Sequence, residues 1–409
     1  MIARAPYLFL LLIIIPDVYF DLHYWRHKYP QQKRLMRWLP TILMVAYTLF
    51  LTYEPNFIPE PPYIIYIYLF LIGLIAVPKM VYMLCSMIGL ACSKVFHRKK
   101  SSHKSRNWGN MLGLVCVLFL WYVLFYGSFI GFNKLEVNRQ TYTSDALPQA
   151  FDGYKIVLLS DAHVGSYTGK KQEILKRAID QANALHPDII VFTGDLQNTH
   201  PQEIYEHLDI LASLKAKDGV YSVLGNHDYA CYIDASDAQK VANVREAVSL
   251  ERQAGWTVLL NSHRIIERNN PTGKGKSYLV VAGMENDGIG SRAPKKGDIK
   301  KTLNDVKTSK DAFILMLEHD PSAWRRIIVP DGRAHLTLSG HTHKMQFAIF
   351  DWTPLSVINK EAYGWFQEGE QALFVTAGLG GLIPFRFGAT GEVVEITLRK
   401  KKVVKELTP

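Results

Sequence analysis

The first 132 residues alternate between long apolar runs and short polar segments, whereas the rest of the chain mixes apolar and polar residues at short intervals. A helix that spans a bilayer needs about 20 mostly apolar residues. Four runs approach or exceed that length, and we predict a transmembrane helix in each: Tyr7–Trp25, Trp38–Tyr53, Tyr63–Cys92 and Asn110–Phe132. A cleaved signal peptide is the alternative for the first run, but no small-x-small cleavage site follows it.

The first apolar run contains a carboxylate, Asp17, directly after Pro16. Carboxylates inside membranes are often functional, whereas a proline within a helix kinks or breaks it. A functional carboxylate and a plain helix kink therefore both stay open as interpretations of this pair.

The polar segments between the runs differ in charge, and this difference predicts the topology. Residues 26–37 and 94–106 are basic, whereas residues 54–62 contain two glutamates, four prolines and no basic residue. Basic loops face the cytoplasm. We therefore predict an integral protein of the plasma or inner membrane whose fourth helix leads into an extracytoplasmic domain. Much of the net charge of +10 lies in those two loops, so we expect no nucleic-acid partner.

The first 132 residues thus form the predicted transmembrane region, residues 133–150 a linker or lead-in strand, residues 151–400 a globular domain and residues 401–409 a basic tail. Short apolar runs predict strands at Lys155–Ser160, Asp188–Thr193, Gly219–Leu224, Trp256–Leu260, Tyr278–Gly283, Phe313–Leu317, Leu336–Leu338, Leu373–Thr376 and Val393–Leu398. Helices are predicted at Lys170–Leu185, Pro201–Ala216 and Ser236–Ala254. The early alternation of strands and helices implies a parallel core, and the later, helix-poor part implies antiparallel or mixed strands.

Five short polar pieces each follow a predicted strand. They are Ser160-Asp161-Ala162-His163, Gly194-Asp195, Gly225-Asn226-His227-Asp228, Glu318-His319-Asp320-Pro321 and Ser339-Gly340-His341-Thr342-His343. Because ligands collect beyond the carboxyl ends of strands in open α/β sheets, these side chains should converge. Oxygen donors from Asp and Asn together with imidazole nitrogens suit manganese, iron or zinc, and they argue against a pure magnesium or calcium site.

The order and content of these pieces resemble the calcineurin-like metallophosphoesterase family over roughly residues 150–400. The resemblance extends to its membrane-tethered branch, similar to bacterial YkuE/YaeI-type phosphodiesterases. The lead-in Phe151-Asp152-Gly153-Tyr154-Lys155-Ile156 and the later Gly378-Leu379-Gly380 and Pro384-Phe385-Arg386 are similar to that branch. The resemblance implies an N-terminal α-helical transmembrane bundle followed by an α/β four-layer sandwich.

The same resemblance implies two divalent metal ions. It places the first between Asp161, His163, Asp195 and His343, and the second between Asp195, Asn226, His319 and His341. A shared carboxylate offsets the repulsion between two dications about 3.5–4 Å apart, and a bridging water then attacks phosphorus in line as hydroxide. His227 is expected over the leaving oxygen, where it donates a proton or stabilises charge. Asp228 is expected to orient His227 through its other ring nitrogen.

Three positions depart from the pattern of the family. Asn198 stands where a second aspartate is common, which puts the tuning of the ligands in doubt. Lys344-Met345 replace a frequent Gly-Gly, and these side chains either narrow the pocket or add a cation for phosphate. Gly391-Glu392 replace a frequent Pro-Glu, for which no catalytic effect is expected.

We therefore predict a membrane-bound phosphohydrolase that cleaves a phosphodiester or pyrophosphate bond, with a lipid among the candidate substrates. A broad phosphomonoesterase is the alternative among enzymes. A metal-binding membrane sensor or scaffold without catalysis is the alternative outside them, although the intact His227 disfavours it. Lys344 and Arg386 are candidates to receive an anionic headgroup. The apolar residues that form either core or a membrane-facing rim beside them are Trp352, Trp365, Phe366, Leu382, Ile383, Phe385 and Phe387.

Overall fold

The computed structural model describes residues 5–54, 56, 58–96, 107–271, 275–290, 293–306, 309, 311–350 and 352–401. The chain divides into two compact units, one formed by residues up to 129 with residues 232–234 and the other by the remaining residues from 130 onward. The basic segment predicted at 94–106 and the basic tail predicted at 401–409 lie almost wholly outside the described residues. The boundaries predicted between domains stay predictions.

The four predicted apolar helices are present, each long and apolar enough to cross a membrane, and they lie in the helical unit except for the end of the fourth, from residue 130 onward. They are α1 (Pro6–Lys28), α2 (Gln31–Thr52), α3 (Tyr63–Val95) and α4 (Gly109–Asn133). α3 has 33 residues, more than the about 20 that a bilayer requires. The predicted transmembrane region is therefore confirmed as four long apolar helices.

Asp17 connects three of these helices. Its carboxylate is fully buried, and one oxygen lies 2.7 Å from the ammonium of Lys79 in α3. The same oxygen accepts a hydrogen bond from the hydroxyl of Thr41 in α2. A charge inside a membrane is costly unless it is paired, and the pairing with Lys79 meets that requirement. Helix α1 continues through Pro16, so the proline does not end it.

The second unit contains twelve strands among its described residues. They are β1 (Leu135–Ser144), β2 (Lys155–Leu159), β3 (Ile189–Phe192), β4 (Val220–Ser222), β5 (Thr257–Val258), β6 (Ser262–Asn269), β7 (Lys276–Gly283), β8 (Ala312–Leu317), β9 (Leu336–Ser339), β10 (Gly364–Glu368), β11 (Gln371–Val375) and β12 (Gly391–Lys400). They form two six-stranded sheets with the orders β1-β12-β2-β3-β4-β5 and β10-β11-β9-β8-β7-β6. Strands β2 to β5 run parallel in the first sheet, and β7, β8, β9 and β11 run parallel in the second.

The two sheets pack face to face, with helices on both outer faces. Successive residues of a strand point to opposite faces. Ile156 and Leu158 of β2 pack with Leu279 and Phe313 of the second sheet, in the core between the sheets. Val157 and Leu159 point the other way, into a core with α5 (Gln172–Ala184). A third core covers the outer face of the second sheet. This order of helix, sheet, sheet and helix is the predicted four-layer sandwich.

The remaining helices are α6 (Gln202–Tyr205), α7 (Leu208–Ala212), α8 (Asp237–Gln253), α9 (Ile299–Thr302) and α10 (Val329–Asp331), the last preceded by a π-helical turn at Trp324–Ile328. The prediction of a single helix at Pro201–Ala216 is wrong, because His207 leaves helical geometry (φ −115°, ψ 2°) and separates α6 from α7.

Strands β6 and β10 lie at the edges of their sheet, and the sequence pattern did not predict them. Edge strands carry charged side chains, as Arg264 and Glu267 do in β6, and these charges mask the apolar alternation.

Candidate active site

The predicted ligands converge because the strands before them end at one edge of the sandwich. Strands β2, β3 and β4 are adjacent and parallel in the first sheet, as are β8 and β9 in the second. The ring nitrogen Nδ1 of His319, after β8, lies 2.7 Å from the carbonyl oxygen of Thr193, after β3. The loops of both sheets therefore meet at this site.

The first group of ligand atoms comes from Asp161, His163, Asp195 and His343, with one atom of each residue within 4.8 Å of the others. Nε2 of His163 lies 3.7 Å from Oδ2 of Asp195. Nε2 of His343 lies 3.5 Å from Oδ1 of Asp161. This set is the one that the family resemblance places around the first metal ion.

The second group shares Asp195 and adds His319 and His341, again with their ligand atoms within 4.8 Å of one another. The amide oxygen of Asn226 lies 3.0 Å from Nε2 of His319 and 2.8 Å from Nδ1 of His341. Nε2 of His319 is 3.2 Å from Oδ2 of Asp195. The structure thus brings together all seven predicted ligands, with Asp195 common to both groups.

The hydrogen bonds of the histidines leave lone pairs that point at other acceptors. Nδ1 of His319 faces the carbonyl of Thr193, so this nitrogen carries the proton, and in the neutral ring Nε2 has only a lone pair. That lone pair faces the oxygens of Asn226 and Asp195. Nε2 of His163 is buried and has no hydrogen-bond partner among the described residues. Acceptors that face acceptors in a buried site require positive charge, which either a proton on His319 or a metal ion supplies. The mixture of imidazole nitrogen and oxygen ligand atoms fits divalent metal ions.

Electrostatics support the same conclusion. Burial lowers the pKa of His163 well below its ordinary value, and burial lowers that of His343 to about 4, so both imidazoles are neutral and able to ligate. Burial also disfavours charge on His319, but the carboxylate of Asp195 outweighs it and raises the pKa of His319 to about 10, so without another cation in the site Nε2 carries a proton that a metal ion would replace. Burial opposes the charge of Asp195 too, yet His319 and its neighbours hold its pKa well below the ordinary value. The shared carboxylate therefore stays ionised and attracts positive charge.

Five of the seven ligands have left-handed backbone conformations, which are rare for residues other than glycine. The φ angles are 51° for Asp161, 48° for His163, 57° for Asp195, 71° for His341 and 50° for His343. Such conformations cost about 1–3 kcal/mol each and cluster at functional sites. The folding energy of the sandwich thus holds the ligands in place.

Gly340 shows how tightly the ligand loops pack. A Cβ at this position would overlap the hydroxyl of Ser160 and the carboxylate of Asp161. The residue before His341 must therefore be glycine for the backbone N–H of His341 to reach both oxygens of Asp161, at 3.0 and 3.1 Å.

His227 lies beside the first group, with its ring centroid 4.7 Å from that of His163. Its Nδ1 is 2.6 Å from the backbone carbonyl oxygen of Asn198. The side-chain oxygen of Asn198 lies 3.2 Å from Nδ1 of His163, and its backbone N–H donates to Glu203 at 2.5 Å. Asn198 therefore fixes the orientation of both rings, one through its side chain and one through its backbone.

The expectation that Asp228 orients His227 is wrong. Both oxygens of Asp228 accept backbone N–H groups, from Asp195 and Gly225 at 2.8 and 2.9 Å and from Leu196 and Gln197 at 3.0 and 3.2 Å. The carboxylate therefore ties the loop after β3 to the loop after β4. Burial and the nearby charge of Asp195 raise the pKa of Asp228 to about 7, against these donors.

Arg386 was expected to receive an anionic headgroup, and this expectation is also wrong. Its side chain is fully buried, and its guanidinium donates to the carbonyls of Ala377, Gly378, Gly380 and Ala389. These bonds hold the Gly-Leu-Gly segment in place. In that segment, the N–H of Gly380 donates to the carbonyl of Asp161 at 2.9 Å, which connects it to the first ligand loop.

Lys344 is buried, with its ammonium 4.2 Å from the ring centroid of Tyr363, and its role in substrate binding stays a prediction.

Two supporting groups could not be found from the sequence motifs. The carbonyls of Thr193 and Asn198 act as backbone atoms, which no side-chain pattern encodes. Asp320 lies 3.6 Å from Nε2 of His341, the ring nitrogen that faces away from the second group. Carboxylates in this position orient metal-ligating histidines, and adjacency to His319 was the only sequence signal for it.

Comparison with known proteins agrees with this geometry. Residues 154–345 match the family described as calcineurin-like phosphoesterase, and residues 2–132 match one described as probable calcineurin-like phosphoesterase, transmembrane domain. The chain is 30% identical over 282 residues to the uncharacterised metallophosphoesterase YkuE of Bacillus subtilis, covering 67% of this chain and 89% of YkuE. The chain belongs to the calcineurin-like metallophosphoesterase family.

This metallophosphoesterase is also similar to a transmembrane protein with metallophosphoesterase domain from Danio rerio, with 29% identity over 313 residues, 75% of this chain and 67% of the relative. A third relative is the UDP-2,3-diacylglucosamine pyrophosphatase LpxG of Chlamydia trachomatis, with 28% identity over 302 residues, 64% of this chain and 90% of LpxG. The metallophosphoesterase is thus an integral membrane phosphoester hydrolase of a family that usually binds two divalent metals.

Proposed function

We propose that this chain is a membrane-bound phosphohydrolase that uses two divalent metal ions to cleave a phosphodiester or pyrophosphate bond of a lipid. The observation that carries the proposal is the position of Asp195, whose carboxylate belongs to both groups of ligand atoms. A carboxylate common to two sets of nitrogen and oxygen donors is the arrangement that a two-metal centre needs.

The two sets of ligands would hold manganese, iron or zinc, since both mix imidazole nitrogen with oxygen. Ions bound there neutralise the charge of the phosphoryl oxygens and lower the pKa of water to near neutrality. The chain itself supplies the rest of the chemistry. Its buried carboxylates and imidazoles would hold the ions, and the left-handed backbone of its ligand loops places these side chains together.

His227 would serve as the proton donor. In the protonated ring, Nδ1–H donates to the carbonyl of Asn198 and Nε2–H is the proton that can pass to the leaving oxygen. The backbone N–H of His227 donates to Asp195 at 2.8 Å, which holds the ring next to the shared carboxylate. A sensor or scaffold without catalysis has no use for an imidazole held in this way.

Two observations support a lipid substrate. The name of LpxG states activity on a diacylated nucleotide sugar, a substrate with both acyl chains and a pyrophosphate. In the present chain, α4 ends at Asn133 and β1 begins at Leu135, so the linker between the last membrane helix and the catalytic domain is one residue long. This short connection to the last membrane helix favours lipid phosphates as substrates.

The test is hydrolysis by the purified full-length protein, stripped of metal and reconstituted with manganese, iron or zinc. We expect metal-dependent cleavage of a lipid phosphodiester or pyrophosphate, with much slower cleavage of a phosphomonoester. Faster cleavage of the monoester would favour the broad phosphomonoesterase. Tight binding of metal without hydrolysis of any of these substrates would favour a sensor or scaffold.

A further inference from the structure

The exposed apolar side chains of the catalytic domain are concentrated in one segment. Among the described residues from 135 onward, nine large apolar side chains are exposed, and five of them lie within residues 345–358. We call these five the apolar lip: Met345 (52% exposed), Phe350 (100%), Trp352 (52%), Val357 (74%) and Ile358 (83%). The other four are scattered singly along the chain, as is normal for surface residues.

The lip differs from the rim that the sequence suggested. Of the seven residues of that rim, Trp352 alone is exposed, and the others are half-buried. Phe387 stacks on Phe347 with ring centroids 5.7 Å apart, and the indole of Trp365 donates to Gln140 at 2.9 Å. Those side chains have partners within the domain, whereas the side chain of Phe350 is fully exposed.

The segment that carries the lip is held by hydrogen bonds and is attached to the ligand loop. Ile349 and Trp352 exchange two backbone hydrogen bonds of 2.9 and 3.0 Å, which places Phe350 in a tight turn. The hydroxyl of Thr353 donates to the carbonyl of Lys344 at 3.1 Å, and Lys344 follows the ligand His343 directly. The backbone that carries the lip therefore continues from the backbone that positions a metal ligand.

We propose that the apolar lip inserts into the surface of the lipid bilayer and positions the ligand loop over the phosphates of membrane lipids. Exposed patches of this kind mark interaction sites, and aromatic and aliphatic side chains on a polar surface bind at the boundary of headgroups and acyl chains. The bilayer is the fitting partner because the one-residue link between α4 and β1 keeps the domain beside it. The inference rests on the proposed function for its substrate, a lipid phosphate.

Contact with lipid can be measured without any substrate. The full-length protein, with its four cysteines replaced by serine, is labelled with an environment-sensitive fluorophore at Ile358→Cys, and a matched protein is labelled at Val241→Cys on α8. Both positions are exposed, but Val241 lies outside the lip. In liposomes that contain bromine-substituted lipids we expect quenching of the label at position 358 and none at position 241.

Activity provides the second measurement. We expect Phe350→Ser, Val357→Ser and Ile358→Ser together to reduce hydrolysis of a lipid phosphodiester in liposomes by at least about tenfold, because each removes apolar area from the bilayer. A small soluble chromogenic diester should be cleaved at an unchanged rate. The control combines Val241→Ser and Ile265→Ser, two exposed apolar residues outside the lip, and should leave both rates unchanged.

The outcomes separate the inference from the proposed function. If the label at position 358 is not quenched while the unmodified protein hydrolyses the lipid, the lip does not insert and the proposed function stands. A label at 358 that is shielded from water but not quenched by the lipid would show a second protein copy on the lip and overturn the inference. If the label is quenched but no phosphoester is cleaved, the lip binds the membrane and the proposed function fails.

Discussion

At the scale of single residues, the site depends most on Asp195. Its carboxylate lies 3.2 Å from His319 and 3.7 Å from His163, one ligand from each group, and its second oxygen accepts the N–H of His227. A change at this residue therefore acts on both metal positions together, whereas a change at His343 or His341 acts on one.

Asp195→Asn should lower both metal content and turnover severely, because a neutral amide no longer offsets the charge of two cations. Metal analysis of the purified full-length variant, with hydrolysis assayed on the same sample, checks this. Two full equivalents of metal with a near-normal rate would refute the assignment. His186→Ala, a change in the turn after α5, is the control and should leave metal content unchanged.

His227→Ala should keep both metals and reduce the rate by roughly 10²–10⁴, the range attributed to proton transfer by a positioned side chain. The reduction should be smaller for a substrate with a good leaving group, which needs no proton. The measurement compares the rates of the variant and the unmodified protein on a series of aryl phosphodiesters that differ in leaving group. Equal losses for good and poor leaving groups would count against the role as proton donor.

Asn198→Ala should also reduce the rate, since the side chain that orients His163 is lost. Asn198→Asp keeps an oxygen at the same place and should restore most of the activity. The ratio of metal to protein distinguishes positioning from folding: we expect it to fall for alanine and recover for aspartate. An alanine variant with full metal content would contradict this role of Asn198.

The convergence of the seven candidate ligands could be predicted because each follows an apolar strand, so short-range pattern and strand direction suffice. Asp228 and Arg386 could not be assigned in this way. Their partners are backbone N–H and carbonyl groups, several of them distant along the chain, and nothing in a side-chain motif marks those partners. The sequence therefore suggested that Asp228 orients His227 and that Arg386 binds substrate, whereas both charged side chains hold loops of the fold.

At the scale of elements, a buried cation holds the segment between β11 and β12. Arg386 donates to four carbonyls of this segment, while the N–H of Leu379 donates to the carbonyl of Ser160 at 2.9 Å. The segment therefore supports the loop of Asp161, and its order depends on Arg386, whose hydrogen bonds in the described part of the chain go to backbone carbonyls and to no candidate metal ligand.

Arg386→Met should lower the thermal stability of the full-length protein, because each buried carbonyl left without a partner costs about 1–3 kcal/mol. The measurement is thermal unfolding in detergent, with and without metal. Arg264→Met, in the exposed edge strand β6, serves as the matched control and should change stability little. Equal stabilities for the two variants would mean that the hydrogen bonds of Arg386 do not stabilise the domain.

Most strands of the sandwich could be predicted because they are apolar on both faces and short, as strands between two layers must be. The elements that were missed or misjudged, β6, β10 and the helix divided at His207, are those where charge or a local backbone break overrides periodicity. The ion pair of Asp17 and Lys79 could not be predicted from the sequence either. The two residues are 62 positions apart, and only the packing of α1 against α3 brings them together.

At the scale of the whole molecule, the predicted extracytoplasmic position of the domain rests on loop charge alone. A reporter that is active only outside the cytoplasm should be active when fused at Pro409 and inactive when fused near Lys100. Membrane fractions of cells that express each fusion provide the measurement, with equal expression of the two fusions as control. The opposite pattern would place the domain in the cytoplasm and overturn the predicted orientation.

The pairing of β1 with β12 has a consequence for biosynthesis. Leu135 pairs with Gly391, 256 residues further along the chain, and the two strands stay in register to Ser144 and Lys400. A ribosome adds about 5–20 residues per second, so β1 is synthesised on the order of tens of seconds before its neighbour exists. The nascent domain cannot close its first sheet in that interval. A chaperone on the side where the domain emerges would therefore protect the protein most between the synthesis of these two strands.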